Sequence, residues 1–236
     1  MSTWGDDNLS QFLNLVQKNQ QANRVNFDAP YTILSRIDLC FVTAGKNLVN
    51  SKPVMACILL LRCQYAFKAA AGMALSGQIV EAFVMARSVL EYTGYTLLIA
   101  KTPELEAVWM DRHQGEANIK AQKKAFQIAE VQKCIEGVDR TLAGIFADLY
   151  QRSIDFGGHP NPHAAFSAMQ MDDRDGMTGI TALALSTEPV PLAHAMKSVA
   201  QVGLTALHLF QHVFKEKFEL LGIRSELESL RQNAGL

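Results

Sequence analysis

Arg152 and His159 stand with six residues between them in Tyr150-Gln151-Arg152-Ser153-Ile154-Asp155-Phe156-Gly157-Gly158-His159-Pro160-Asn161-Pro162-His163. An arginine can hold a charged oxyanion in a fork of N–H donors, and a histidine of near-neutral pKa can move a proton. Those are the two tasks of acid–base chemistry on a phosphate. Tyr150 and His163 lie close enough in the chain to orient a substrate. The bland alternative is that Arg152 complements a helix C-terminus and His159 is a turn residue before proline.

Arg87 and Glu91 form a second candidate. They are the only charged residues between Ala82 and Ala100, and at i and i+4 their side chains meet on one helical face. Their wheel neighbours Val84, Gly94 and Leu98 predict partial desolvation. Such a pair either specifies the fold as a buried bridge or forms one wall of a polar pocket, because perturbed titratable groups cluster at sites.

Two His-x3-His spacings, His159/His163 and His208/His212, raise the question of a metal. The helical wheel puts His208 and His212 with Lys197, Gln201, Lys215 and Glu219, which predicts a solvated face unless a partner subunit covers it. The Glu-x-x-His pairs of di-iron bundles are missing, so no metal and no cofactor is expected. Phosphate-loop, dinucleotide and serine-hydrolase signatures are missing too. Lys120, Lys123, Lys124 and Lys133 are interleaved with Glu116, Glu130 and Glu136, as on a solvated helix face.

The elements that must position these residues read as helices, because apolar residues recur mainly at three- and four-residue spacing. Amphipathic stretches are expected at about 7–18, from Pro30 to Leu48, and from Pro53 to a stop at Gly77. Gln78 to Lys101 is apolar nearly all round and belongs at the centre of a bundle. Thr102-Pro103-Glu104 starts what reads as one long polar helix through Trp109 towards Lys133. A further helix runs from Asp139 to Asp155, and the Gly-Gly and proline cluster after it must end it. Asp172-Asp173-Arg174-Asp175-Gly176 then marks the turn of a β-hairpin at about 164–186. A long helix after Pro189 and a short charged one, Ser225 to Gln232, complete an all-α bundle of six to eight helices with one inserted hairpin.

The Arg152/His159 spacing resembles the R-x4-6-H motif of the HEPN superfamily of helical bundles, many of whose members are dimeric, metal-independent ribonucleases of toxin–antitoxin and antiviral systems. The wider pattern is similar to bacterial helical families of unknown function: an R-x-x-x-E helix (Arg87 to Glu91), a proline-started helix with a tryptophan (Pro103, Trp109), and a later helix ending in His159-Pro160. The resemblance covers roughly Leu59 to His163. It implies a homodimer in which Arg152 and His159 of two subunits meet and cleave RNA by attack of the ribose 2′-OH on the phosphate.

Composition bounds these readings. In 236 residues, 49% hydrophobic against 19% charged excludes a disordered or collagen-like chain. The balance of 22 basic against 23 acidic side chains excludes a global basic field for nucleic acid or anionic lipid. The N-terminus has neither the basic start nor the apolar run of a secretory signal, and the unbroken apolar run Val54 to Leu61 falls short of the roughly 18 to 20 residues of a membrane span. A cytoplasmic protein off the membrane, organised as one helical domain, is the expectation. Cys40, Cys57, Cys63 and Cys134 lack C-x-x-C spacing and read as reduced core thiols. Two functions are left: a HEPN-like ribonuclease or inactive relative in a defence or stress system, acting on RNA, and a non-catalytic helical module that binds a partner protein or small ligand.

Overall fold

A computed structural model describes residues 5–158, 161–167, 169–174 and 177–233. Among these are twelve α-helices and one β-hairpin, an all-α bundle as the periodicity predicts. Helices α1 (Asn8–Asn26), α2 (Asp28–Lys46), α3 (Val54–Ser76) and α4 (Ile79–Lys101) lead. The short α5 (Glu104–Met110), α6 (Glu116–Ala125) and α7 (Ile128–Glu136) follow, then α8 (Arg140–Ser153) with a π-helical turn, Ile154–Gly158, at its end. After α9 (Pro162–Ser167) and the hairpin come α10 (Pro189–Val213), α11 (Lys215–Leu220) and α12 (Ile223–Asn233).

The core is built where α2, α3, α4 and α10 meet. Phe41, Phe67 and Phe210 come together there, with ring centroids 5.5 and 6.4 Å apart. Each fully buried Phe or Leu side chain contributes about 1.5 to 3 kcal/mol of transfer free energy. Gly203 of α10 lets the helices approach this closely, since a β-carbon on it would stand 2.8 Å from Ile37 and nearer still to Phe67. Helix α3 is long and apolar enough to cross a membrane by length and composition, a property the run Val54 to Leu61 does not reveal. It packs here against α1, α2, α4 and α10, with half of its most apolar window buried.

Local signals act as expected at several ends. Gly77 takes the left-handed conformation, φ 88°, that closes α3, and its carbonyl accepts the Ser186 N–H at 2.8 Å. Asp139 caps α8 by accepting the Leu142 N–H at 2.9 Å. Helix α1 is tied down by carboxamides: Asn19, Gln20 and Asn23 donate to the carbonyls of Ser76, Gly72 and Leu75 at 2.9 to 3.0 Å. These satisfy acceptors near the C-terminal end of α3, where the helix's own ladder runs out.

Two expectations change. The stretch from Pro103 to Lys133 is not one helix, because it breaks at a 3-10 turn, Asp111–Gln114, and again between Phe126 and Gln127, whose extended backbone starts α7. Such breaks raise the segment count above eight. The hairpin forms as β1 (Met169–Arg174) and β2 (Met177–Ala182), antiparallel with Arg174 opposite Met177, and is shorter than the 164–186 expected because Pro162–Ser167 is helical. The lysine face of α6 and α7 is solvated, as read. All four cysteines are free, with Cys40 and Cys63 buried and Cys57 and Cys134 half-buried.

Candidate functional site

On α4, Arg87 Nε donates to Glu91 Oε1 at 2.8 Å, with the two side chains 28% and 33% exposed. Partial desolvation is what the wheel predicts. Tyr150 of α8 completes the group: its hydroxyl donates to the same Glu91 oxygen at 3.1 Å, and the Arg87 guanidinium lies 5.3 Å from its ring centroid. Burial and the neighbouring Glu91 carboxylate push the Tyr150 phenol up, so it stays protonated and donating. Burial acts against the Arg87 charge, but the hydrogen bond and charge of Glu91 together with Tyr150 outweigh it, and the guanidinium is held more firmly protonated. Glu91 thus accepts from both helices, and the cluster fastens α8 to α4.

Arg152 lies elsewhere. Two residues beyond Tyr150 on a helix is a turn of about 200°, so the two side chains leave α8 on opposite sides. Arg152 donates through Nη1 to Gln201 of α10 at 2.9 Å and through Nη2 to Asp148 at 2.6 Å. His159 lies outside the described residues. His163 falls within α9, but its side chain is also outside them. Among the described residues, therefore, Arg87, Glu91 and Tyr150 form one group and Arg152 belongs to another.

That second group is the larger feature, and sequence reasoning missed it. Along α10 the residues His194, Ser198, Gln201, Thr205, His208 and His212 follow one another at spacings of four, three, four, three and four, a polar seam on a helix that is mostly buried beyond its first turn. His194, at the head of the seam, packs against Phe83 and Phe156 at 5.8 and 5.1 Å between ring centroids. From Gln201 to His212 the seam is the floor of a groove of about 850 Å³, with Ile145, Asp148 and Arg152 of α8 on one wall and Arg224, Glu228 and Arg231 of α12 on the other.

The solvated face expected for His208 and His212 is thereby corrected. Lys197, Lys215 and Glu219 are exposed, but Gln201 and His208 are half-buried, because α8 and α12 rise on either side of them. His212 is the exposed end of the floor. Burial holds all three seam histidines below the ordinary value of 6.5. Arg152 adds to this at His194, Arg231 and His212 at His208, and Lys101 and Lys215 at His212, while Asp139 opposes it at the last two. Neutral imidazoles each offer one donor and one acceptor. The signal available in the sequence was the unbroken heptad of polar residues.

The groove holds matched charge over most of its length. Asp148 answers Arg152, and Glu228, with Glu219 beside it, answers Arg224 at 3.1 to 3.2 Å. Leu142, Leu149 and Leu204 supply an apolar strip between the polar groups, the combination of apolar lining and a few convergent polar groups found in ligand sites. No cluster of three or more His, Cys, Asp or Glu able to hold a metal exists among the described residues. Comparison with protein-family models, with curated proteins and with solved structures finds no match to this chain.

Proposed function

We propose that this chain is a helical ligand-binding module, HEPN-like in kinship, whose ligand seat is the groove between α8, α10 and α12. One observation carries the reading: a continuous row of polar side chains runs along the mostly buried α10, and from Gln201 to His212 it floors a groove of small-molecule size. A polar row on a central helix costs stability unless its groups are partnered, which is the mark of a surface kept for binding. Metal-independent cleavage of RNA by Arg152 and His159 is the competing reading. Against it, Arg152 is engaged by Asp148 and Gln201, and the cations of the groove wall are matched by carboxylates along most of its length, so little field remains to draw in a polyanion.

The test is a thermal-shift screen with phosphate esters, carboxylates, amines and uncharged sugars, run on the full chain and on Ile145→Trp. Ile145 is 42% exposed and lines the groove, so a larger side chain there fills the seat without disturbing the core. At least one compound should raise the unfolding temperature of the wild type and not of the variant. No compound separating the two proteins, or RNA cleavage in EDTA by wild type and not by Arg152→Ala, overturns the reading.

A further inference from the structure

The two ends of the groove differ in a way that specifies a ligand. At the Gln201 end the arginine is paired. At the His208 end the cations outnumber the anions: Arg231, which has no ion pair among the described residues, stands by His208, and Lys101 and Lys215 act on the neighbouring His212. The carboxylate facing them is Asp139, which is already used as the cap of α8. Between the two ends lies Thr205, only 4% exposed, which lines the groove.

We propose that the His208 end of the groove is a binding site for a small oxyanion, the phosphate or carboxylate head of an organic ligand, held by Thr205, His208, His212 and Arg231. This rests on the groove being a ligand seat and names the chemistry of its occupant. The threonine hydroxyl and the guanidinium are donors of the kind that recognise oxyanions, and Arg231 supplies a fixed charge. The imidazoles supply a charge that appears on demand. Their neutral form is favoured because burial, with Arg231 at His208 and Lys101 and Lys215 at His212, disfavours a further positive charge, opposed by Asp139 at both and by the Gln211 hydrogen bond at His208. An entering anion reverses that balance, so binding draws a proton onto the pair and tightens as pH falls. Arg152, Asp148, Arg224 and Glu228, the other charged groups on the two walls, are paired with one another or with neighbours and leave this end of the groove to set the response. The apolar strip of Leu142, Leu149 and Leu204 fits the body behind the anionic head.

Histidine-ring NMR on the full chain tests this, with sodium phosphate and sodium succinate titrated separately against sodium chloride at equal ionic strength. Signals are assigned from His→Gln variants, and the exposed His113 serves as the internal control. The expected result is saturable movement of the His208 and His212 signals by phosphate, succinate or both, with a rise in their titration midpoints and none at His113. The anion that saturates at lower concentration identifies the head group. Thr205→Val should weaken binding about threefold or more and Arg231→Gln about tenfold, Arg231 being exposed and so replaceable without loss of fold. Shifts that are linear and equal at all three histidines, or saturable binding unchanged in both variants, overturn the oxyanion site. If neither anion binds while Ile145→Trp still abolishes stabilisation by an uncharged compound, the groove remains a ligand seat and only the oxyanion assignment falls. If anions bind and Ile145→Trp changes the response to no compound in the screen, the broader reading falls and the anion site stands.

Discussion

Tyr150 and Glu91, 59 residues apart in the chain, are joined by a hydrogen bond of 3.1 Å to the very carboxylate oxygen that Arg87 also engages. A charge pair on one helix is thereby turned into a tertiary fastening between α4 and α8, and the tyrosine ring, 6.0 Å from Phe146, carries that fastening into the core.

The energetic consequence is measurable. Arg87 and Glu91 keep 28% and 33% of their side-chain exposure, so removing one partner should cost less than the 3 to 5 kcal/mol typical of a fully buried pair. Arg87→Met or Glu91→Leu should each destabilise by about 1 to 2 kcal/mol in urea melts. Tyr150→Phe combined with Glu91→Leu should show a coupling of about 0.5 to 1.5 kcal/mol. Strict additivity in that double-mutant cycle would mean that the hydroxyl and the carboxylate do not interact in solution.

The close approach of α10 to α2 and α3 depends on Gly203. A methyl group there meets Ile37 at 2.8 Å and the Phe67 ring closer still, in a part of the core where every neighbour is buried. Gly203→Ala should therefore lose about 1 to 3 kcal/mol through overpacking, despite alanine's better helix propensity. A protein of this size would melt lower by about 2 to 4 °C for each kcal/mol. An unchanged or raised melting temperature would contradict the packing described.

The seam histidines make stability pH-dependent. His194, His208 and His212 are all held below 6.5 by burial first, so the unfolded chain takes up protons before the folded one does as pH falls. Their contribution is fully present above the unfolded value and is lost as pH drops through the lower folded values. Urea midpoints measured without added anion should fall between about pH 7 and pH 5, and His208→Gln should flatten that slope. A midpoint that rises over the same interval would show the opposite sign of shift.

Thiol chemistry separates the cysteines. Burial pushes Cys40 and Cys63 up to about 12, so both remain protonated and covered at pH 8. Mass spectrometry after brief iodoacetamide treatment of the native protein should find label on the half-buried Cys57 and Cys134 well before the other pair. Early modification of Cys63, whose thiol faces Thr93 at 3.2 Å within the α3–α4 contact, would mean that this contact opens.

What could be read from the chain alone was whatever depends on neighbours in sequence. The positive φ at Gly77, the Asp139 cap, the apolar breadth of α4 and the pairing of β1 with β2 follow from backbone sterics and from hydrogen bonds between residues near in the chain. The Arg87–Glu91 pair is of the same kind, because i and i+4 face each other on any helix. The breaks in the Pro103–Lys133 stretch escaped the same reading, since Phe126 and Gln127 are no stronger helix breakers than the residues around them.

Tertiary structure decided which side chains share a site. Tyr150 and Arg152 are near neighbours in sequence, yet one meets α4 and the other α10, because successive residues turn about 100° around a helix. The polar heptad of α10 is written in the chain, but a helical wheel cannot tell a solvated stripe from the floor of a groove. That distinction exists only once α8, which ends 48 residues before Gln201, and α12, which begins 11 residues after His212, stand on either side of the seam and take His208 partly out of water.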